Sequence, residues 1–174
     1  LLLRPGQIRQ IGITLLNIPT VRRIRFATKG VAIMPMKFTS DTEWMDALTE
    51  VCELGQARMK EVALHTHFNT EREITAWTAS AMKSLSATGV RVRNQSVLIH
   101  GVNDSFDHMR RTTKKLSSLL IQPYYLYLHD MVPSCEHLRT TVRVAENLSQ
   151  RIQGSTAGFN TPRVVCDAPG GGGK

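Results

Sequence analysis

Two spacings of apolar residues alternate along this chain. Short runs rich in β-branched and aromatic residues have the length of strands, and between them lie longer stretches whose apolar positions recur at helical intervals. Arg23 to Ala27 reads as the first strand. From Asp41 to Leu54 the spacing is helical: Trp44, Leu48, Val51 and Cys52 share a face, and Ser40 or Asp41 can cap it. Glu61 to His67 reads as a strand ending in Phe68-Asn69, and Glu71 to Thr88 as a helix closed by Gly89. Val90 to Ile99 is the next strand, punctuated by Gly101, and Asp104 to Leu120 the next helix. A tyrosine-rich strand from Pro123 to Leu128, a helix from Thr141 to Gln153 stopped by Gly154, and a last strand from Arg163 to Cys166 complete the pattern.

This alternation predicts an α/β fold with parallel strands and right-handed crossovers, in one domain. Roughly five βα units fit either an arc of a barrel or an open doubly wound sheet, and in both the chemistry collects at the C-terminal strand ends. That rule selects Thr28-Lys29, His65-Thr66-His67, Asn94-Gln95-Ser96, His129-Asp130 and Asp167.

Composition narrows the classes. The net charge of +8 favours anionic partners: nucleic acid, phosphorylated cofactors or carboxylates. The basic residues are scattered, however, apart from Arg22-Arg23-Ile24-Arg25 and the set Arg110, Arg111, Lys114 and Lys115. The second set reads as a solvated helix face, so no nucleic-acid partner is expected. Cys52, Cys135 and Cys166 are far apart and odd in number, without CxxC or CxxxCxxC spacing, which argues against a disulfide framework or a metal cluster held by this segment. A reducing compartment, cytoplasm or organellar matrix, is the default. No apolar run approaches the ~20 residues of a membrane span and no signal-peptide pattern opens the chain, so no membrane partner is expected. The absence of an initiator Met and the ending on a lysine read as a piece cut from a longer protein.

Four constellations carry candidate chemistry. Gly170-Gly171-Gly172-Gly173-Lys174 presents an amine from a turn that no Cβ obstructs, suited to a phosphate or to condensation with an aldehyde cofactor. Ala168 to Lys174 also meets a relaxed phosphate-loop pattern, which requires Ser or Thr after the lysine and usually opens a domain rather than following several βα units. His65 and His67, two apart on one strand, would point the same way and could ligate zinc; alternatively one lines a pocket while the other packs. Asn94-Gln95 is an amide pair in an apolar run, bonding either a neighbouring strand or a ligand. Asp130 and Asp167 end consecutive strands, where two carboxylates could share a cation or act as an acid/base pair; a lone strand-end aspartate is otherwise a cap or turn former.

Several segments, in order and spacing, resemble the lysine 2,3-aminomutase family of radical S-adenosylmethionine enzymes. They are His65-Thr66-His67-Phe68-Asn69, Asn94-Gln95-Ser96-Val97-Leu98, Gly101-Val102-Asn103-Asp104, Pro123-Tyr124-Tyr125-Leu126-Tyr127, His137-Leu138-Arg139-Thr140 and Asp167 to Lys174. The resemblance implies a partial (βα) barrel of the radical SAM type. It implies three cofactors: S-adenosylmethionine, a [4Fe–4S] cluster and pyridoxal phosphate (PLP). The implied reaction moves the α-amino group of lysine to the β-carbon after a radical abstracts a hydrogen. By the same resemblance Lys174 holds PLP, Asp130 and Asp167 bind the distal ammonium of lysine, and His67 and Gln95 stand on the S-adenosylmethionine side. Tyr127 lies near cofactor and substrate. Two anions suit a cationic amino acid and would repel a glutamate. The family is commonly oligomeric, so a homo-oligomer is an expectation too.

This sequence departs from the family in places. The cluster motif CxxxCxxC is absent, Lys29 stands where Arg is common, and Ser105 stands where zinc-bearing members have Cys. The segment alone is therefore expected to show no turnover. A phosphate-loop nucleotide binder and a non-catalytic remnant of the family remain as alternatives.

Overall fold

Five strands form one parallel sheet whose order in space is their order in the chain, β1-β2-β3-β4-β5. A doubly wound sheet requires the order to reverse at a switch point. The unbroken order is that of a barrel arc, which resolves the choice the pattern left open. The computed structural model describes residues 3–167. Its strands are β1 (Arg23–Ala27), β2 (Glu61–Thr66), β3 (Arg91–Leu98), β4 (Gln122–Leu128) and β5 (Arg163–Val165). Its α-helices are α1 (Pro5–Asn17), α2 (Gly30–Ile33), α3 (Lys37–Ser40), α4 (Thr42–Ala57), α5 (Ala76–Ala87), α6 (Phe106–Ser118) and α7 (Val142–Gln153).

The chain divides into two compact units, one of residues 1–66 and 75–93, the other of residues 67–74 and 94–174. In the first, β1 and β2 pair in parallel with Arg23 opposite Glu61 and Ala27 opposite His65. Trp44, Leu48, Val51 and Cys52 are all buried along α4, as their shared face requires. Asp41 caps that helix, accepting a hydrogen bond from the Trp44 N–H at 3.1 Å. Arg23, Arg91 and Arg93 surround Glu61, so part of the first basic run is neutralised within the fold.

α1 has no counterpart in the strand-and-helix pattern drawn from the sequence. Its signal was nevertheless present: Pro5 at the first turn and Ile8, Gly12 and Leu16 at four-residue steps, all three buried. α1 lies on α4 at Gly12, where an added Cβ would stand 2.5 Å from Val51 Cγ1 and 2.6 Å from Cγ2. Gly12→Ala should cost about 1–3 kcal/mol through overpacking, read as a lowered urea midpoint with unchanged slope.

Burial pushes the Cys52 thiol up to about 11. It should resist iodoacetamide at mildly alkaline pH in the folded protein and react once urea opens the core, while exposed Cys166 is modified directly. Mass spectrometry of tryptic peptides checks this. A raised thiol stabilises the fold fully below the unfolded thiol range, and that contribution fades as pH climbs from about 9 towards 11.

In the second unit β4 and β5 pair in parallel, Tyr125 with Arg163 and Tyr127 with Val165. Leu98, Met109, Leu126, Ala145, Leu148 and Ile152 form the core under these strands. The long helix expected from Glu71 is interrupted. Glu71–Glu73 makes a single 3-10 turn, and α5 begins only at Ala76, because Thr75 is extended and its hydroxyl accepts the Thr78 N–H. Gly89 follows α5 at φ +75°, the left-handed closure expected of it.

Candidate functional site

The candidate residues of the second unit ride on β3, on the end of β4, just past β5 and on the loop 67–74. Strand alternation sorts β3. Asn94, Ser96 and Leu98 are buried on one side, while Gln95 and Val97, half-buried, face the other. Asn94-Gln95-Ser96 lies within the strand rather than at its end, since β3 runs on to Leu98. The Gln95 amide faces the Tyr127 hydroxyl at 3.4 Å, long for a hydrogen bond and close enough for one ligand to span both. Tyr125 and Tyr127, two apart on β4, share that side with ring centroids 5.6 Å apart, edge to face.

The two residues of the amide pair therefore do different work. Asn94 is 1 % exposed and bonds the backbone of Phe68. Gln95 is turned to the open side. The histidines also separate. β2 ends at Thr66, so the strand alternation that would aim both rings one way does not reach His67. His65 is buried within β2, and His67 is half-buried at the head of the loop. Among the described residues no group of three or more His, Cys, Asp or Glu side chains is placed to hold a metal ion.

Asp130 and Asp167 leave the same end of a bonded strand pair, three residues past Tyr127 and two past Val165. Both are exposed. The turn at Asp130 is set by its own backbone: its carbonyl accepts the Val132 N–H at 2.8 Å and faces the His129 Nδ1 at 2.9 Å. Beyond it, Arg139 donates to the Val132 carbonyl at 3.1 Å, and the His100 N–H bonds the Leu138 carbonyl at 2.9 Å. His137-Leu138-Arg139-Thr140 thus fastens the loop that carries Asp130. Lys174, with the glycines before it, lies outside the described residues.

Two polar anchors carry no signal in the pattern of apolar spacing. That pattern puts Glu71 at the start of a helix. Its carboxylate receives Arg111 Nε at 3.0 Å and Thr112 Oγ1 at 3.2 Å, and Lys115 donates to its carbonyl at 3.0 Å. Burial raises its carboxyl, but the Arg111 bond and charge, a backbone hydrogen bond and, least, Thr112 together outweigh that and hold it below its ordinary value. Half of the basic set on α6 therefore grips the loop 67–74 instead of forming a solvated face. Ser105, which stands where zinc-bearing members of the resembled family have Cys, caps α6 by accepting the His108 N–H at 3.4 Å. No helix among the described residues is long and apolar enough to cross a membrane.

No family model matches the chain. Over 90% of its length the chain is 34% identical to the L-lysine 2,3-aminomutase of Fusobacterium nucleatum, covering 35% of that protein. It is 35% identical over 91% of its length to the L-lysine 2,3-aminomutase of Clostridium subterminale, covering 36% of it. Against the glutamate 2,3-aminomutase of Clostridioides difficile the figures are 30% identity, 91% of this chain and 35% of that protein. The chain spans about a third of the length of the curated relatives it matches, in their C-terminal part. A radical SAM methyltransferase structure from Sphaerobacter thermophilus aligns with 70% of this chain and 38% of that one, at TM-score 0.49 and 19% identity.

Proposed function

We propose that this chain, similar over about nine tenths of its length to L-lysine 2,3-aminomutases, forms the substrate- and PLP-binding part of a radical aminomutase acting on a cationic amino acid, lysine first. What carries this reading is the delivery of Tyr127, Asp130 and Asp167 at one end of the β4–β5 pair, with Gln95 facing Tyr127. Asp130 and Asp167 bind the distal ammonium. They orient the substrate by charge, and they reject a substrate whose side chain ends in a carboxylate. Gln95, Tyr127 and His67 are hydrogen-bonding groups that suit the amino, carboxylate and hydroxyl groups of S-adenosylmethionine. Lys174, seven residues past Asp167, would hold PLP through its amine.

When bound, S-adenosylmethionine with its cluster supplies a hydrogen-abstracting radical, and PLP supplies a ring that carries the migrating amino group. The described residues do not fit a [4Fe–4S] cluster, for they offer no suitable set of ligands. In this reading the cluster is held by residues other than those described here. Borohydride reduction of the intact protein with PLP, followed by peptide mapping, tests the lysine. A pyridoxyl adduct on Lys174 is expected; labelling elsewhere, or none, defeats the reading.

A further inference from the structure

The backbone that follows His67 is held on one side by the buried Asn94, Ser96 and Asn103 side chains and on the other by a carboxylate. The Phe68 N–H donates to Asn94 Oδ1 at 2.7 Å, and the Phe68 carbonyl accepts both Asn94 Nδ2 at 3.0 Å and Ser96 Oγ at 2.7 Å. One residue on, Asn69 Oδ1 accepts the Val97 N–H at 2.9 Å, and the Asn69 carbonyl accepts Asn103 Nδ2 at 3.0 Å. Asn103, fully buried, also bonds the Val97 carbonyl at 2.8 Å and the Ile99 N–H at 2.7 Å. Glu73 closes the other side, receiving the Asn69 and Thr70 N–H groups at 2.7 and 3.0 Å.

The Phe68 N–H lies in the same rigid peptide plane as the His67 carbonyl, so the bond to Asn94 fixes the orientation of the unit that leaves His67. The side chains that hold it flank Gln95 in sequence, and strand alternation turns Gln95 to the opposite side. Two consecutive residues, Phe68 and Asn69, thus tie the backbone after His67 to the strand that presents Gln95. Closing a loop needs fewer bonds than this, and each buried amide is costly wherever it is imperfectly paired. Redundant restraint of this kind is what a two-point ligand clamp needs.

We propose that Asn69, Asn94 and Asn103 are positioning residues that set the spacing of His67 from Gln95, and through it the affinity for S-adenosylmethionine. The proposal rests on the reading of His67 and Gln95 as ligand-facing, and the experiment separates the two. Affinity for S-adenosylmethionine is measured by calorimetry on the intact protein and its variants, each well below its unfolding midpoint. His67→Ala and Gln95→Ala must weaken binding; if both bind as the unaltered protein does, the underlying reading fails.

With that arm positive, Asn94→Ala should weaken binding about tenfold or more although neither ligand-facing side chain has changed. Ser96→Ala is milder, since Asn94 still donates to the Phe68 carbonyl, and should cost about two- to threefold. Asn94→Asp supplies a readout that lost stability would not move. A protonated carboxyl can still donate to the Phe68 carbonyl and accept the Phe68 N–H, whereas a carboxylate cannot donate. The ratio of variant to unaltered affinity should therefore stay near one at low pH and fall as pH rises through the carboxyl's range. Folded Asn94→Ala and Ser96→Ala proteins with undiminished affinity, or a pH-independent Asn94→Asp ratio near one, would overturn the proposal.

Discussion

Lys174→Ala should leave a folded protein that forms no pyridoxyl adduct at that peptide and turns over no lysine. The residue follows β5 in the sequence, and the expected loss is one of chemistry. Lys174→Arg makes the test sharper. A phosphate-binding lysine is partly replaceable by arginine, which keeps the charge and adds donors. A lysine that condenses with an aldehyde is not replaceable, because guanidinium stays protonated and is no nucleophile. Arginine should therefore fail as completely as alanine. Partial PLP-dependent activity in Lys174→Arg would show that Lys174 is not the amine that condenses with PLP.

The second large effect concerns the aspartates. Asp130→Asn and Asp167→Asn each keep size and hydrogen bonding while removing a charge. Each should lower kcat/KM for lysine by about 2–4 kcal/mol, roughly 30- to 1000-fold, if the substrate ammonium is desolvated between them. Both side chains are exposed in the unliganded protein. If they stay in water when lysine binds, screening holds each effect to about 1 kcal/mol or less and makes it salt-sensitive. The size of the loss and its dependence on ionic strength, measured together by steady-state kinetics, decide between these cases. The double variant should fall short of the sum of the singles, because the two carboxylates serve one cation.

Much of the layout was legible in the sequence because the signals were local. β1 spans Arg23–Ala27 as the pattern set it, and Asp41, Thr141 and Gly89 act at the helix ends where their chemistry puts them. Apolar spacing runs through the break before α5, and only the Thr75–Thr78 hydroxyl exchange reveals it. The split within Asn94-Gln95 was likewise hidden. A sequence shows two adjacent amides, but which one turns inward depends on where the loop after β2 comes to rest. Glu71 looked like an ordinary helix residue for the same reason, since its partners Arg111 and Thr112 are some forty positions away. Residues whose meaning lies in distant partners are the ones that periodicity cannot read.

The most direct test of the central claim is the product itself. The intact protein, with its cluster reconstituted anaerobically and supplied with PLP and S-adenosylmethionine, is incubated separately with isotopically labelled L-lysine and L-glutamate, and the amino acids are separated. Labelled β-lysine and no β-glutamate is the expected result. β-Glutamate as the main product, or unchanged lysine from protein shown to carry cluster and PLP, would contradict it.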